Sequence, residues 1–210
     1  LPSEIVSSIF PKNKIAIITG GGKGIGKEIC LGLAKEGAKI IIADLDKENS
    51  SNVVETIIQN GGDAIYVETN VSSEQSVKNL ITKSINKFNQ IDILINNAGI
   101  RHVKKLEDHN LNDWNDMISV NLTGPYICCQ AVIPEMKKIG KGKIINFGSI
   151  ASFMGRPDRI GYVAAKSGVL GLTRALAIDL KGTNINVNTI CPGLISTPVS
   201  YTHLTLPTND

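Results

Sequence analysis

Three side chains of the second half of the sequence have the types and spacing of a proton-exchanging site: Ser149, Tyr162 and Lys166. Tyr162 and Lys166 are four residues apart, so on a helix they share one face, a turn apart. A nearby ammonium favours the phenolate and suits the phenol to exchanging a proton at neutral pH. Ser149 follows an apolar run that indicates a buried strand, and we expect its hydroxyl to bond a substrate oxygen in the same cleft. The same Tyr-x-x-x-Lys spacing also occurs on solvated helix faces, so the other motifs decide between these interpretations.

A strand, a glycine-rich turn and a helix near the start of the chain predict half of a nucleotide-binding βαβ unit. The apolar run 14–19 is typical of a buried parallel strand, and the spacing T-G-x-x-x-G-x-G follows from Thr19 to Gly26. Apolar residues then recur at helical spacing as far as Gly37, which suits a helix C-terminus. Glycines permit the tight turn and the approach of a pyrophosphate, and the helix N-terminus supplies free N–H groups. A plain glycine-rich turn is the alternative interpretation.

Asp44 closes the second apolar run, residues 38–43, about 20 positions after the glycine turn. A carboxylate at this point accepts hydrogen bonds from an adenosine ribose and repels a 2′-phosphate. Lys23 within the glycine loop is a counter-signal, because a cation there can hold that phosphate. The sequence therefore predicts NAD as the preferred cofactor, with NADP as the second candidate.

Strand and helix patterns alternate along the rest of the chain, which predicts an α/β fold with a parallel sheet covered on both faces. Ligands of such sheets bind at the carboxyl ends of the strands. The glycine turn, Asp44, Asn70, residues 96–99 and Ser149 all follow predicted strands. We expect helices over 46–60, 73–87, 111–138 and 162–181, and further strands over 64–67, 91–95, 143–148 and 184–190.

Asn121 is a polar residue within a mostly apolar stretch of the long predicted helix. Its side chain either bonds a neighbouring carbonyl or faces the cleft and holds a water. Pro125 and Pro134 predict local kinks in the same helix.

The composition excludes several other classes of function. With 210 residues, 42% hydrophobic and 20% charged, the chain suits one globular domain. The net charge of +3 is scattered, which gives no basis for nucleic-acid binding, and the three histidines lack metal-ligand spacing. No apolar run reaches membrane-spanning length, so no membrane partner is expected. The four cysteines form no C-x-x-C pair and are expected to be reduced, which favours a cytoplasmic location.

Taken together, the motifs resemble those of the short-chain dehydrogenase/reductase family, over about residues 14–198. Besides the glycine turn and Tyr-x-x-x-Lys, they include N-N-A-G at 96–99 and a serine thirteen positions before Tyr162. The resemblance implies a Rossmann-like doubly wound sheet of order 3-2-1-4-5-6, a small-molecule alcohol or carbonyl substrate, no metal, and a homodimer or homotetramer.

The resemblance also implies the roles of individual residues. Tyr162 is the general acid/base, Lys166 holds the nicotinamide ribose and promotes the proton exchange, and Ser149 orients the substrate carbonyl. Asn121 positions a water that relays protons through Lys166. The cofactor-binding set implied is Gly20, Gly24, Ile25, Gly26, Asp44, Asn70, Val71, Asn97, Ala98, Gly99, Tyr162, Lys166, Pro192, Gly193, Ile195 and Thr197.

The two ends of the sequence lack these patterns. Residues 1–13 predict a loose leader, residues 14–198 the catalytic domain, and residues 199–210 a non-native tail that does not resemble the family. Family members continue past this point with a substrate-covering helix pair and a last strand. Without them, we expect an unpaired sheet edge, and poor folding or low activity.

The substrate is the least constrained feature of the sequence. Arg101, Arg156 and Arg159 flank the predicted cleft and suit an acidic substrate, although solvated loop charges are the alternative. The runs 97–102 and 155–157 resemble sugar-acid dehydrogenases, so a sugar acid or polyol is expected. The competing enzyme is a 3-oxoacyl-carrier-protein reductase using NADPH, and the competing non-enzyme is an NAD(H)-binding sensor or scaffold.

Overall fold

The computed structural model describes residues 11–195, which form one six-stranded parallel sheet with helices on both faces. The strand order is 3-2-1-4-5-6, and every neighbouring pair is parallel, as predicted. The proposed tail and Thr197 lie outside the described residues. The strands are β1 (Ile15–Thr19), β2 (Lys39–Asp44), β3 (Asp63–Glu68), β4 (Ile93–Asn96), β5 (Gly142–Phe147) and β6 (Ile185–Ile190).

The helices connect successive strands, which is what parallel pairing requires. Two short 3-10 segments, Leu106–Asp108 and Ile150–Ser152, lie in the loops after β4 and β5. No helix within residues 11–195 is both long and apolar enough to cross a membrane. The α-helices are α1 (Gly24–Lys35), α2 (Lys47–Gln59), α3 (Glu74–Phe88), α4 (Leu111–Ile118), α5 (Gly124–Lys138) and α6 (Ile160–Asp179).

The central strands are buried on both faces because their side chains pack alternately into two separate hydrophobic cores. Ile17 and Ile41 are aligned on β1 and β2 and belong to the core beneath α3 and α5. Ile18 and Ile42 are aligned in the same way and pack on the other face, beneath α1 and α2. All four are 0% exposed, and burying each side chain contributes roughly 1.5–3 kcal/mol.

Side-chain caps fix where several helices begin. Asp46 accepts a hydrogen bond from the backbone N–H of Asn49 at the start of α2, and Ser73 accepts one from Ser76 at the start of α3. Such caps contribute about 1 kcal/mol each.

The predicted single helix over 111–138 is two α-helices joined by a π-helical turn, Ser119–Thr123. The change of hydrogen-bond ladder precedes both prolines. Pro125 stands in the first turn of α5, where its missing N–H is tolerated. The π-turn is centred on Asn121, whose side chain bonds to a distant backbone segment, and the sequence pattern did not predict it.

Candidate active site

The carboxyl ends of the central strands bring the predicted site residues to one edge of the sheet. Gly20 follows β1, Asp44 ends β2, residues 97–99 follow β4 and Ser149 follows β5. The backbone N–H of Gly20 donates to Ala43 O across the strands at 2.8 Å. The topology thus assembles these residues as expected.

The glycine turn depends on the absence of side chains. Gly20 and Gly24 have positive φ values of 66° and 52°, which L side chains rarely adopt. A Cβ on Gly26 would lie 2.0 Å from Gly20 O, so no other residue fits there without moving the backbone. Lys23 precedes α1, and its side chain does not cap the helix. The first backbone N–H groups of α1 therefore donate no hydrogen bond to a capping side chain. Such an N-terminus suits an anion such as a pyrophosphate.

A clamp between β1 and the loop after β4 holds this turn. Asn97 Nδ2 donates to Thr19 O at 3.0 Å and to Gly20 O at 2.9 Å. Thr19 Oγ1 accepts from the backbone N–H groups of Asn97 and Ala98 at 3.1 and 3.0 Å. Thr19 begins the predicted glycine motif but was not among the predicted site residues, although its hydroxyl at the last position of a buried strand was a usable signal.

Asp44 is fixed by two backbone donors. Its Oδ2 accepts from Gly22 N at 2.9 Å and its Oδ1 from Asp46 N at 3.0 Å. Lys23 Nζ lies 2.6 Å from Asp46 Oδ2, and this hydrogen bond is the main reason that the pKa of Asp46 falls to about 2. The Lys23 charge, the counter-signal for NADP, is therefore already paired with a carboxylate that the sequence reasoning did not consider.

Two adjoining cavities lie along this edge of the sheet. The first, about 480 Å³, is lined by the glycine turn, Asp44, Asn70 and Val71. The second, about 560 Å³, is lined by the candidate catalytic residues. The walls that the two cavities share are formed by Ile25, Asn97, Gly99 and Ile100. A dinucleotide has an adenosine half and a nicotinamide half, and a two-lobed space beside the glycine turn suits such a molecule.

The second cavity unites all the candidate catalytic residues. Tyr162 and Lys166 lie on α6 and are joined by Ser149 from the end of β5 and by Asn121 from the π-turn. Pro192, Gly193 and Ile195 also line this cavity. The prediction that phenol, ammonium and hydroxyl meet in one cleft therefore matches the geometry.

Lys166 is the most perturbed of these groups. It is only 5% exposed, its Nζ donates to Phe147 O at 2.7 Å, and it lies 5.8 Å from the centre of the Tyr162 ring. Burial lowers the pKa of Lys166 from 10.5 to about 8, since an ammonium loses solvation in the interior. The side chain is therefore poised between charged and neutral forms near physiological pH.

Ser152, which the sequence reasoning missed, connects Ser149 to α6 through two hydrogen bonds. Ser152 Oγ accepts from Ser149 N at 3.1 Å and donates to Lys166 O at 2.7 Å. Ser149 Oγ accepts from Ala151 N at 3.1 Å. A hydroxyl has one proton and two lone pairs, so Ser149 keeps its proton for a substrate oxygen.

The Asn121 amide is bonded to the protein backbone, as in the first of its two predicted alternatives, and the residue also lines the catalytic cavity, as in the second. Its Oδ1 accepts from Ile100 N at 3.2 Å, and its Nδ2 donates to Ile100 O at 2.9 Å and Met117 O at 3.1 Å. A Cβ on Gly99 would lie 2.8 Å from Asn121 Oδ1 and 3.6 Å from Lys166 Nζ. Asn121 therefore holds the loop after β4 against the catalytic cavity.

Charged groups surround the outer end of the cavity. A small adjoining space of about 140 Å³ is lined by Arg101, Arg156 and Arg159 together with Ser149 and Tyr162. Within residues 11–195, no carboxylate lies within 4.0 Å of these three arginines. His102 also lines the larger cavity, and the sequence reasoning did not single it out.

The cysteines form no disulfide within residues 11–195. All four cysteines, which lie within residues 11–195, are free, and burial raises the pKa of Cys30 and Cys129 to about 12. No group of three or more potential metal-ligating side chains occurs in the described part of the chain.

Comparison with known proteins places the chain among dehydrogenases. A family model described as short chain dehydrogenase matches residues 14–204. An uncharacterized oxidoreductase of Thermotoga maritima is 41% identical over 89% of this chain and 73% of its own length. A 3-oxoacyl-[acyl-carrier-protein] reductase of Synechocystis is 40% identical over 89% of this chain and 76% of its own. A crystal structure of a short chain dehydrogenase/reductase from Burkholderia phymatum in complex with NAD has a TM-score of 0.87 at 29% identity, and the match covers 90% of this chain and 69% of that one.

Proposed function

The chain belongs to the short-chain dehydrogenase family and is an NAD(P)-dependent oxidoreductase of CH–OH or carbonyl groups, and we propose that its substrate is an acidic polyhydroxy compound, such as a sugar acid. The observation that carries the reaction type is the meeting of Ser149, Tyr162 and Lys166 in one cavity beside the glycine cradle. A polyol is the neutral variant of this substrate class.

The dinucleotide, when bound, supplies the hydride acceptor or donor. Residues of both cavities are proposed to hold it. The glycine turn and α1 would face the pyrophosphate, Asp44 the adenosine ribose, and Asn70 and Val71 the adenine. The proposed set is Gly20, Gly24, Ile25, Gly26, Asp44, Asn70, Val71, Asn97, Ala98, Gly99, Tyr162, Lys166, Pro192, Gly193 and Ile195, with Thr197 beyond the described residues.

The protein's own groups handle the proton. Tyr162 takes the proton of the substrate hydroxyl during oxidation, or returns it to the carbonyl oxygen during reduction. The Lys166 ammonium favours the phenolate form, and the free proton of Ser149 bonds the substrate oxygen as it gains negative charge. Both Nδ2 donors of Asn121 are used by Ile100 O and Met117 O, whereas its Oδ1 accepts from Ile100 N and keeps a lone pair for a water that can relay protons to Lys166.

The preference for NAD rests on the electrostatics of the first cavity. The Asp44 carboxylate lines it and opposes a 2′-phosphate, whereas the Lys23 ammonium is paired with Asp46. NADP remains the alternative cofactor.

The acidic substrate is supported by three guanidinium groups at the outer end of the catalytic cavity. Arginines without carboxylate partners are suited to binding a carboxylate or phosphate, often through two parallel hydrogen bonds.

Two other functions stay in view. The 40% identity to a 3-oxoacyl-[acyl-carrier-protein] reductase favours reduction of a 3-oxoacyl thioester. Asp44 argues against this function, because it favours NAD and the competing reductase is expected to use NADPH. A non-catalytic NAD(H) sensor is the alternative of another class, but it has no need of Ser149, Tyr162 and Lys166 together.

We further propose that the protein is cytoplasmic, in keeping with its free cysteines, and that it acts as a homodimer or homotetramer.

A panel of alcohols with each cofactor tests this proposal. Gluconate, 3-hydroxybutyrate and 2-butanol are offered with NAD and with NADP, and acetoacetyl thioester with NADPH and with NADH. Oxidation of gluconate with NAD at the highest kcat/KM supports the proposal. Thioester reduction as the main activity replaces it with the reductase function, and NADH binding without turnover of any compound indicates a sensor.

A further inference from the structure

His102 is the one histidine on the wall of the catalytic cavity within residues 11–195, and a carboxylate lies close to its ring. Its Nδ1 is buried, has no hydrogen-bond partner among the described residues and lies 3.5 Å from Asp113 Oδ1. The side chain is nevertheless 31% exposed. With Nδ1 turned to the interior, the exposed part of the ring carries Nε2.

Asp113 is held too firmly to move away from the ring. Both of its oxygens accept from Lys104 Nζ, at 2.7 and 2.8 Å, and its Oδ2 also accepts from the backbone N–H of Asn110. Asp113 and Asn110 form a reciprocal capping box at the start of α4. The hydrogen bond from Lys104 lowers the pKa of Asp113 most, which keeps this carboxylate ionised.

A fixed carboxylate beside Nδ1 selects the tautomer of a neutral imidazole. In the tautomer that carries its proton on Nδ1, the N–H is directed towards this carboxylate, and Nε2 is a hydrogen-bond acceptor. The neighbouring cavity side chains Arg101, Ser149 and Tyr162 all offer donors. His102 adds an acceptor nitrogen beside these hydroxyl and guanidinium groups.

We infer that His102 accepts a hydrogen bond from a substrate hydroxyl near the reacting carbon, and that Asp113 positions it to do so. The inference rests on the proposed hydride-transfer function and narrows its substrate. A polyhydroxy acid carries such a hydroxyl next to its reacting carbon, whereas a 3-oxoacyl thioester has methylene groups there. His102 therefore separates the two enzyme functions that the arginines alone do not separate.

Two carboxylates that differ by one hydroxyl test the inference. The compound 2,3-dihydroxybutyrate has a second hydroxyl next to whichever carbon is oxidised, and 3-hydroxybutyrate does not. We expect wild-type kcat/KM with NAD to favour the dihydroxy acid by roughly fivefold to tenfold, the usual range for one hydrogen bond. In His102→Leu this preference falls to about one, through a higher KM for the dihydroxy acid and an unchanged KM for 3-hydroxybutyrate.

Two further variants separate recognition from folding. His102→Gln retains an acceptor oxygen and is expected to restore part of the preference. His109→Gln changes a histidine that does not line the cavity and leaves the preference intact. All variants should bind NADH and melt as the wild type does. A wild-type preference that survives in His102→Leu overturns the inference.

Failure of the reaction itself has a different signature. If neither acid is oxidised while NADH binds, the proposed function is wrong. Binding of the two acids to the protein–NADH complex, followed through the fluorescence of the single tryptophan Trp114, still tests recognition. Equal wild-type affinities for both acids then overturn the inference, and a preference lost in His102→Leu supports it.

Discussion

The ammonium of Lys166 donates a 2.7 Å hydrogen bond to the carbonyl oxygen of Phe147, the last residue of β5. A carbonyl oxygen carries only a partial negative charge. The hydrogen bond to it therefore does not offset the solvation that the Lys166 ammonium loses on burial. No ion pair with a carboxylate within 4.0 Å involves Lys166 in the described part of the chain. The strand therefore anchors the lysine in the cavity while its pKa stays low.

The first prediction follows from that pKa. In the unfolded chain Lys166 takes its ordinary value of 10.5, and in the fold about 8, so between these values the unfolded chain binds more protons. Stability then rises with pH across this window, by up to about 3 kcal/mol. We expect denaturant unfolding from pH 7 to 10.5 to show this rise in the wild type and its loss in Lys166→Met.

An exposed lysine serves as the control for this measurement. Lys181→Met alters a solvated side chain just after α6 and should keep the wild-type slope. Parallel pH curves for the wild type and Lys166→Met would contradict the burial argument.

The second prediction concerns two glycines of α1. In Gly26→Ala the new Cβ meets Gly20 O at 2.0 Å, so the turn must shift, and we expect NADH binding to be lost and stability to fall by roughly 1–3 kcal/mol. Gly32→Ala on the same helix meets nothing within 4 Å and should stabilise the protein by about 1 kcal/mol. Calorimetry measures the change in stability and NADH titration measures the change in binding. Wild-type NADH affinity in Gly26→Ala would refute the proposed role of the glycine turn in binding the dinucleotide.

The third prediction concerns cofactor choice. Asp44→Asn removes the charge that opposes a 2′-phosphate and one of the two carboxylate acceptors for Gly22 and Asp46. We expect the ratio of NADP to NAD affinity to rise by at least about tenfold, since one like-charge contact is worth more than 1 kcal/mol near a protein surface. Asp63→Asn on β3 is the matched control, because Asp63 does not line either cofactor cavity. An unchanged ratio in Asp44→Asn would show that selectivity lies elsewhere.

The fourth prediction concerns the arginines of the outer cavity. Arg101→Gln combined with Arg156→Gln should raise KM for 3-hydroxybutyrate by about tenfold or more, the range for hydrogen bonds to a charged group. KM for neutral 2-butanol should stay the same. Arg174→Gln removes an exposed arginine of α6 outside this cavity and should change neither value. An equal loss for both substrates would mean that the arginines support the cavity wall instead of binding an anion.

The sequence predicted the features that depend on local pattern. Buried apolar runs such as 38–43 indicated strands, and the glycine spacing from Thr19 to Gly26 indicated the turn, because both follow from which residues tolerate burial or positive φ. The alternation of strands and helices then gave the parallel sheet and the edge at which Ser149 and Asp44 lie.

Features that depend on long-range partners escaped the sequence. Asn97 holds Thr19 from 78 positions away, and Asn121 reaches Ile100 across 21 positions to form the π-turn. His102 lies 3.5 Å from Asp113, which stands on a helix whose start is set by its own capping box. No local propensity reports such pairs, because they arise only when the sheet brings separate loops together.

The central claim is that Tyr162 exchanges the substrate proton beside a bound dinucleotide, and Tyr162→Phe tests it most directly. Tyr126→Phe, on an exposed tyrosine bonded only to Gln130 among the described residues, is the matched control. We predict that Tyr162→Phe binds NADH within about threefold of the wild type while kcat falls by 10²-fold or more, the range for losing a general acid or base. A Tyr162→Phe variant that turns over its substrate at the wild-type rate would contradict the account.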